Sequence, residues 1–299
     1  MKQIIDDSFI AMLESRDLCV RNPMNGLFGG SRRSKSYGSS TEFADYREYV
    51  PGDDLRRVDW NLYARLEKMY LKLFVDEKQL HHRIYIDASS SMDWGGDNSK
   101  ADTAIKIAAA IGFLSVQAMD RVSFFTMRDD YCDDLCRTVI GREGFYNAVG
   151  SLNSVSFYGK CDVEKAIRSL ENVGDGDGIS VIISDFLTES DWKSAVDYLL
   201  YRKREVHLIQ VLSRDEIGPS LSGKVFMLDS EAVADDDPLN YKADVTLSRI
   251  RAYEEAFRYH QKELRSYCSD RGVGLLTVCS DESIEKILFH KATEGGLIK

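Results

Sequence analysis

Cysteine is sparse in this 299-residue chain, and its spacing matters more than its number. Cys19, Cys132, Cys136, Cys161, Cys268 and Cys279 form no Cys-x-x-Cys pair, so neither a zinc site nor a disulfide framework is indicated. That usage fits a reducing compartment. A phosphate-cradling Gly-x-x-x-x-Gly-Lys-Ser/Thr loop is missing, so nucleotide hydrolysis, if the protein takes part in it, belongs to another chain. Basic charge is short: 39 Lys and Arg face 49 Asp and Glu, for a net charge of −10. Phosphate binding wants a basic face, so a nucleic acid is not the expected partner. No stretch approaches the roughly 18 uninterrupted apolar residues of a membrane span. Acids at Asp6 and Asp7 stand where a signal peptide would need an apolar run. The expectation is a soluble, cytoplasmic protein.

What the chain does have is enough apolar content, 43%, for a packed core. The most informative stretch is Ile84-Tyr85-Ile86-Asp87-Ala88-Ser89-Ser90-Ser91-Met92. It opens as a short β-branched run, the pattern of a strand buried on both faces of a sheet. It then stops at a carboxylate and breaks into small hydroxyl residues. Asp87-x-Ser89-x-Ser91 puts three hard oxygen donors in one loop, outside the carboxyl end of a strand, where open α/β sheets bind ligands. Oxygen-only donors suit magnesium or manganese rather than zinc. The same residues could instead satisfy a turn or cap a helix.

Along the chain, residues 6–20 suit a helix, and 25–40 form a Gly/Ser-rich connector carrying Arg32, Arg33 and Lys35. Residues 42–76 mix aromatics with opposite charges. Pro51-Gly52 predicts a type II turn, with Asp53 or Asp54 capping a short helical turn after it. Arg47, Arg56, Arg57 and Arg65 among Asp45, Glu48, Asp53, Asp54 and Asp59 would form forked pairs that pin the segment to a scaffold. The organisation expected is therefore an N-terminal portion, 1–81, and a larger domain, 82–299.

In that domain Ser99-x-x-Asp102 reads as a capping box opening a helix that is apolar nearly all round, to about Ala118. Strands at 121–127 and 131–139, joined by a short turn, imply an antiparallel edge hairpin. Helices follow at 143–152 and 162–172. A Gly/Asp turn at 174–178 leads into a buried strand, 179–185, ending in Asp185. A helix at 190–204, a strand at 206–212, a hairpin flanking the acidic 235–238 loop, a long helix at 248–271, a strand at 275–279 and a closing helix at 281–293 complete the chain. Strands alternating with helices mean an α/β fold: an open, mostly parallel sheet covered on both faces. Parallel strands put their carboxyl ends together, so Asp87 and Asp185 should share one edge.

Three stretches together resemble a von Willebrand factor A domain: Asp87-x-Ser89-x-Ser91, a Gly159-centred loop opening a helix, and Asp185 ending a later strand. In that fold these loops make the metal-ion-dependent adhesion site. The segment ahead of it resembles the signature of the domain of unknown function 58 family. It carries Glu42-Phe43-Ala44-Asp45-Tyr46-Arg47-Glu48-Tyr49, then Pro51-Gly52-Asp53-Asp54, Asp59-Trp60 and Tyr63-Ala64-Arg65. The resemblance implies a non-catalytic interaction protein working beside MoxR-type AAA+ ATPases in maturing or remodelling a protein target. It also implies Asp87, Ser89, Ser91 and Asp185 as the adhesion-site residues. One loop departs from the family's usual Gly-Gly-Thr-Asp and reads Gly159-Lys160-Cys161-Asp162. A thiol is a poor donor for a hard cation, and Lys160 brings a like charge to it, while Asp162 either compensates or caps the next helix. The metal expected here is a weakly held Mg2+ or Mn2+, or none, with Lys160 as a stand-in cation.

The rival class is a metal-dependent hydrolase or phosphatase using Asp87. Aspartate-nucleophile phosphatases need a second acid two residues on, where this chain has Ser89. Cys161 as nucleophile would need a base beside it. The five histidines, His81, His82, His207, His260 and His290, fall in no recognisable arrangement with it.

Overall fold

The computed structural model describes residues 4–16, 43–74, 80–94, 99–170, 178–188, 190–219, 223–227 and 241–288. The basic 25–40 connector, the 174–177 turn, the acidic 235–238 loop and the chain after 288 lie outside the described residues.

The chain opens with helix α1 (Asp7–Arg16). A small unit follows, bounded by Phe28 and Gln79. Its strands β1 (Phe43–Glu48) and β2 (Tyr70–Phe74) pair antiparallel, and helix α2 (Trp60–Leu66) lies between them in sequence. Gly52 has φ +108° and Asp53 N donates to Val50 O at 3.0 Å, the type II turn that Pro51-Gly52 calls for. Asp54 then caps the 3-10 turn Leu55–Arg57.

Opposite charges pair within the unit. Arg47 Nη2 reaches Asp53 Oδ1 at 2.8 Å. Asp59 is buried and caps α2 through Oδ1, while Oδ2 accepts from Tyr46 Oη at 2.9 Å and pairs with Lys72 at 3.1 Å. Its aromatics keep much of their surface in water: Trp60 is 54% and Phe43 48% exposed.

The larger unit comprises 1–27 and 80–299, so α1 belongs with it rather than with the signature segment. Asn153 holds the chain before α1 in place, accepting from Ile5 N at 2.8 Å and donating to Ile5 O at 3.1 Å. The next elements are β3 (His81–Asp87), α3 (Lys100–Gln117), β4 (Arg121–Arg128), β5 (Tyr131–Val139), α4 (Gly141–Asn153) and α5 (Val163–Ser169). Then come β6 (Gly178–Ser184), α6 (Trp192–Tyr201), β7 (Glu205–Leu212), α7 (Arg214–Ile217), β8 (Gly223–Met227) and β9 (Tyr241–Val245). The long α8 (Leu247–Arg271), β10 (Gly274–Cys279) and the turn α9 (Ile284–Lys286) complete it. Among the described residues, no helix is long and apolar enough to cross a membrane.

Six strands form one sheet in the order β10-β7-β6-β3-β4-β5, all parallel except β5, which returns antiparallel beside β4. Alternation along the strands splits the core in two. Tyr85, Phe125, Ile182 and Leu208 face Ile167 of α5, Trp192, Ala195 and Val196 of α6, and Leu264 and Tyr267 of α8. On the other face α3 runs against the sheet, buried on nearly every side, and Phe113 meets Phe145 of α4 edge-on. This is a three-layer α/β architecture, helices covering both faces of one mostly parallel sheet.

Strand β3 begins three residues before its apolar run, and the two histidines that open it find partners at the amino edge. His82 Nε2 lies 3.0 Å from Asp120 Oδ2, and His81 Nε2 hydrogen-bonds with Ser123 Oγ at 2.7 Å. Arg204 lies across β3 and β6, donating from Nη2 to His81 O and Ile179 O and from Nε to Ser180 Oγ.

Two outcomes test these contacts. A Cβ at Gly112 of α3 would run into the end of the Phe124 ring in β4. Gly→Ala in a helix gains at most about 1 kcal/mol, whereas overpacking a dense core costs about 1–3 kcal/mol, so Gly112→Ala should lower the thermal midpoint. In the small unit, burial pushes the Asp59 carboxyl up, but hydrogen bonds from Tyr46, Lys72 and the Leu62 and Asn61 amides prevail and hold it at about 2, below the ordinary 3.8. A depressed carboxyl stabilises above its unfolded pKa and loses that contribution as pH falls through its folded one. The unit should therefore loosen between about pH 4 and pH 2. The carboxyl-carbon titration of Asp59 by NMR reads this directly, and an ordinary midpoint would contradict it.

Candidate functional site

Strands β3 and β6 are neighbours in the sheet, yet β3 leads through α3 to β4 on one side and β6 through α6 to β7 on the other. A crevice opens at such a switch point, outside the carboxyl ends of the strands. Asp87 is the last residue of β3, and Asp185 follows the last residue of β6, so both carboxylates come to that crevice. Both are buried, at 3% exposure each.

Ser89 N and Ser89 Oγ donate to Asp87 Oδ1 at 3.0 and 2.7 Å. Ser184 Oγ donates to Asp87 Oδ2 at 2.6 Å. The Ser91 hydroxyl lies 3.1 Å from that of Ser89, which brings Asp87, Ser89 and Ser91 together as their spacing predicts. The Gly159 loop docks on them, with Ser90 N donating to Gly159 O at 2.9 Å and Tyr158 N to Ala88 O at 3.0 Å. Gly159 takes φ +74°, a turn that favours glycine. Burial pushes the Asp87 carboxyl up, as does the charge of Asp185, against the pull of the Ser184 and Ser89 hydrogen bonds.

The third loop does not complete the set. Cys161 is buried, and its thiol is pushed far above its ordinary range, first by burial and then by the Asp87 charge. Asp162 caps α5, its side chain accepting from Lys165 N. Lys160 is exposed on the loop's surface.

The cation in this crevice is another lysine. Lys100, the first residue of α3, is 0% exposed and donates from Nζ to Asp185 Oδ2 at 2.7 Å and Glu216 Oε1 at 2.6 Å. Burial would lower its pKa, but the two carboxylates raise it, so it stays an ammonium. Asp185 Oδ1 accepts from Leu187 N, and Gln210 Nε2 donates to Asp185 O, fixing the turn after β6. Glu216 is held by a capping box: Ser213 Oγ accepts from Glu216 N and Glu216 Oε2 from Ser213 N.

Lys100, Ser184 and Glu216 are absent from the sequence reading, although two left signals. A lysine at the first position of a helix opposes the positive end of its dipole. Ser213-x-x-Glu216 directly after an apolar strand is a capping box.

A divalent cation fits this donor set poorly. The oxygens of Asp87 and Asp185 are engaged by hydrogen bonds, an ammonium already sits on Asp185, and a thiol stands where a third hard donor is needed. Among the described residues no three His, Cys, Asp or Glu side chains are grouped to hold a metal.

Ser184→Ala tests the geometry. It leaves the buried Asp87 carboxylate short of a donor and the Phe186 amide, 3.1 Å from Ser184 Oγ, without its acceptor. Hydrogen bonds to charged groups contribute about 1.5–3 kcal/mol, so urea unfolding should show a loss of that order with an unchanged m-value.

A protein of Mycobacterium bovis and one of Mycobacterium tuberculosis, both described as uncharacterized, are each 28% identical over 236 residues, spanning 77% of this chain and 73% of theirs. Three solved structures are similar at low identity. They are an aerotolerance-related membrane protein from Bacteroides fragilis (15% identity, TM-score 0.40, 72% of this chain and 99% of that one), a von Willebrand factor type A protein from Catenulispora acidiphila (8%, 0.39, 76% and 43%) and the SpRpn10 VWA domain (11%, 0.40, 74% and 97%). The model of the family described as protein of unknown function DUF58 matches residues 45–263, from within β1 into α8, and the chain belongs to that family.

Proposed function

We propose that the protein is a non-enzymatic interaction module that binds a protein partner at the crevice of Asp87, Ser89, Ser91 and Asp185. The partner suggested by the family resemblance is a MoxR-type AAA+ ATPase, which the module would help to mature or remodel a protein target. The observation that carries this reading is that the crevice holds two carboxylates in finished hydrogen-bond networks with no poised nucleophile. An aspartate nucleophile must present an oxygen to its substrate, and Asp87 is 3% exposed with both oxygens accepting hydrogen bonds, from Ser89 and Ser184. A catalytic cysteine needs a lowered pKa, and that of Cys161 is raised. Both points weigh against a hydrolase or phosphatase.

Affinity capture with the tagged full chain from its own cells tests the reading. An AAA+ ATPase of MoxR type should co-purify. Asp87→Asn, which keeps the side-chain shape, should cut recovery by roughly tenfold, a loss of about 1.4 kcal/mol of binding. Capture unchanged by Asp87→Asn would remove this edge as the binding surface, and phosphatase turnover abolished by the same variant would replace the reading with the enzymatic one.

A further inference from the structure

Lys100 is a fully buried ammonium whose position on the fold is set from both sides. Ser99 accepts from Asp102 N and caps α3, which fixes the lysine at the helix start, beside the carboxyl ends of β3 and β6. Glu216, from the turn after β7, meets the same ammonium from the far side, and its other oxygen is held by the Ser213 amide. The result is an arrangement spanning the ends of three adjacent strands, β7, β6 and β3, in which one positive charge lies among three carboxylates: Asp185 and Glu216 in direct contact, and Asp87 acting through Asp185. Two carboxylates at the ends of adjacent parallel strands repel unless something neutralises them. In a dry crevice, a second cation sharing Asp185 with the ammonium would be repelled far more strongly than in water.

We propose that Lys100 is the resident cation of this edge, tethered to the chain, and that the site is complete without a divalent metal. Lys160, the stand-in suggested by the sequence, does not fill that role, since it lies exposed on the neighbouring loop. The inference rests on the proposed function in taking this crevice as the binding surface. It adds that the partner is not held through a carboxylate bound to magnesium or manganese. Binding is therefore insensitive to chelators, and the crevice is charged whenever the chain is folded, with no dependence on the metal supply.

The experiment is a calorimetric titration of Mn2+ into the purified full chain and three variants. The wild type should show no saturable binding that Asp185→Asn removes. Lys100→Ala should gain one Mn2+ site, and Lys100→Ala with Asp185→Asn should lose it again. Removing one partner of a buried ion pair leaves an uncompensated charge, so Lys100→Ala is followed by thermal melting as well. Its midpoint should fall without metal and recover by roughly 5–10 °C at Mn2+ about 100 times Kd, while the wild-type midpoint stays put. Saturable wild-type binding that Asp185→Asn abolishes would overturn the inference. So would a Lys100→Ala protein that gains neither a site nor metal-dependent stability. None of these readouts uses the partner, so failed capture would sink the proposed function and leave the assignment of Lys100 standing or falling alone.

Discussion

Two like charges delivered to one dry place are the constraint around which this protein is arranged. Parallel pairing of β3 and β6 points both strands the same way, so Asp87 and the residue after Ser184 must arrive together. The backbone geometry that makes a crevice also makes an electrostatic fault. Hydroxyls from Ser89 and Ser184 relieve it at Asp87, and the Lys100 ammonium relieves it at Asp185. The remedies come from three different places, the loop after β3, the end of β6 and the start of α3, which ties these elements to one another.

Lys100 shows what the arrangement costs locally. A positive side chain at a helix start works against the macrodipole by about 0.3–1 kcal/mol, and its burial removes a strongly hydrated group from water. Two short charge-assisted bonds offset that cost only because both carboxylates are held rigidly, Asp185 by the Leu187 amide and Glu216 by its capping box. A surface lysine in the same helix could be replaced freely. This one cannot be removed without leaving two acids facing a low dielectric.

The order of the elements was legible in the sequence because the central strands of the sheet carry short, largely apolar, β-branched runs. Ile84–Ile86 and Ile179–Ile183 announce themselves, and carboxylates at their ends announce a shared edge. The start of β3 was not legible, since His81, His82 and Arg83 look like loop until Asp120 and Ser123 are brought beside them by the fold. The small unit was half legible: its type II turn follows from Pro51-Gly52, but which acid pairs with which base, Arg47 with Asp53 and Lys72 with Asp59, did not follow from composition. Within the crevice, Asp87, Ser89 and Ser91 follow from spacing alone. Lys100 and Glu216 meet across 116 residues of chain, and no local pattern can show that so distant a carboxylate will accept from that ammonium.

The same long separations govern how the crevice comes into being. Ser184 reaches Asp87 across 97 residues, and the β3–β6 pairing that aligns them encloses two other strands and three helices. Contacts of such high order form late, because the entropy of closing the intervening chain must be met before they contribute. A fragment ending before β6 would present Asp87 with neither Ser184 nor Asp185, and one ending before α7 would leave Lys100 with a single carboxylate. A partner that reads this edge therefore reads the finished chain: the crevice reports completed folding, and a nascent or misassembled copy has nothing to offer it.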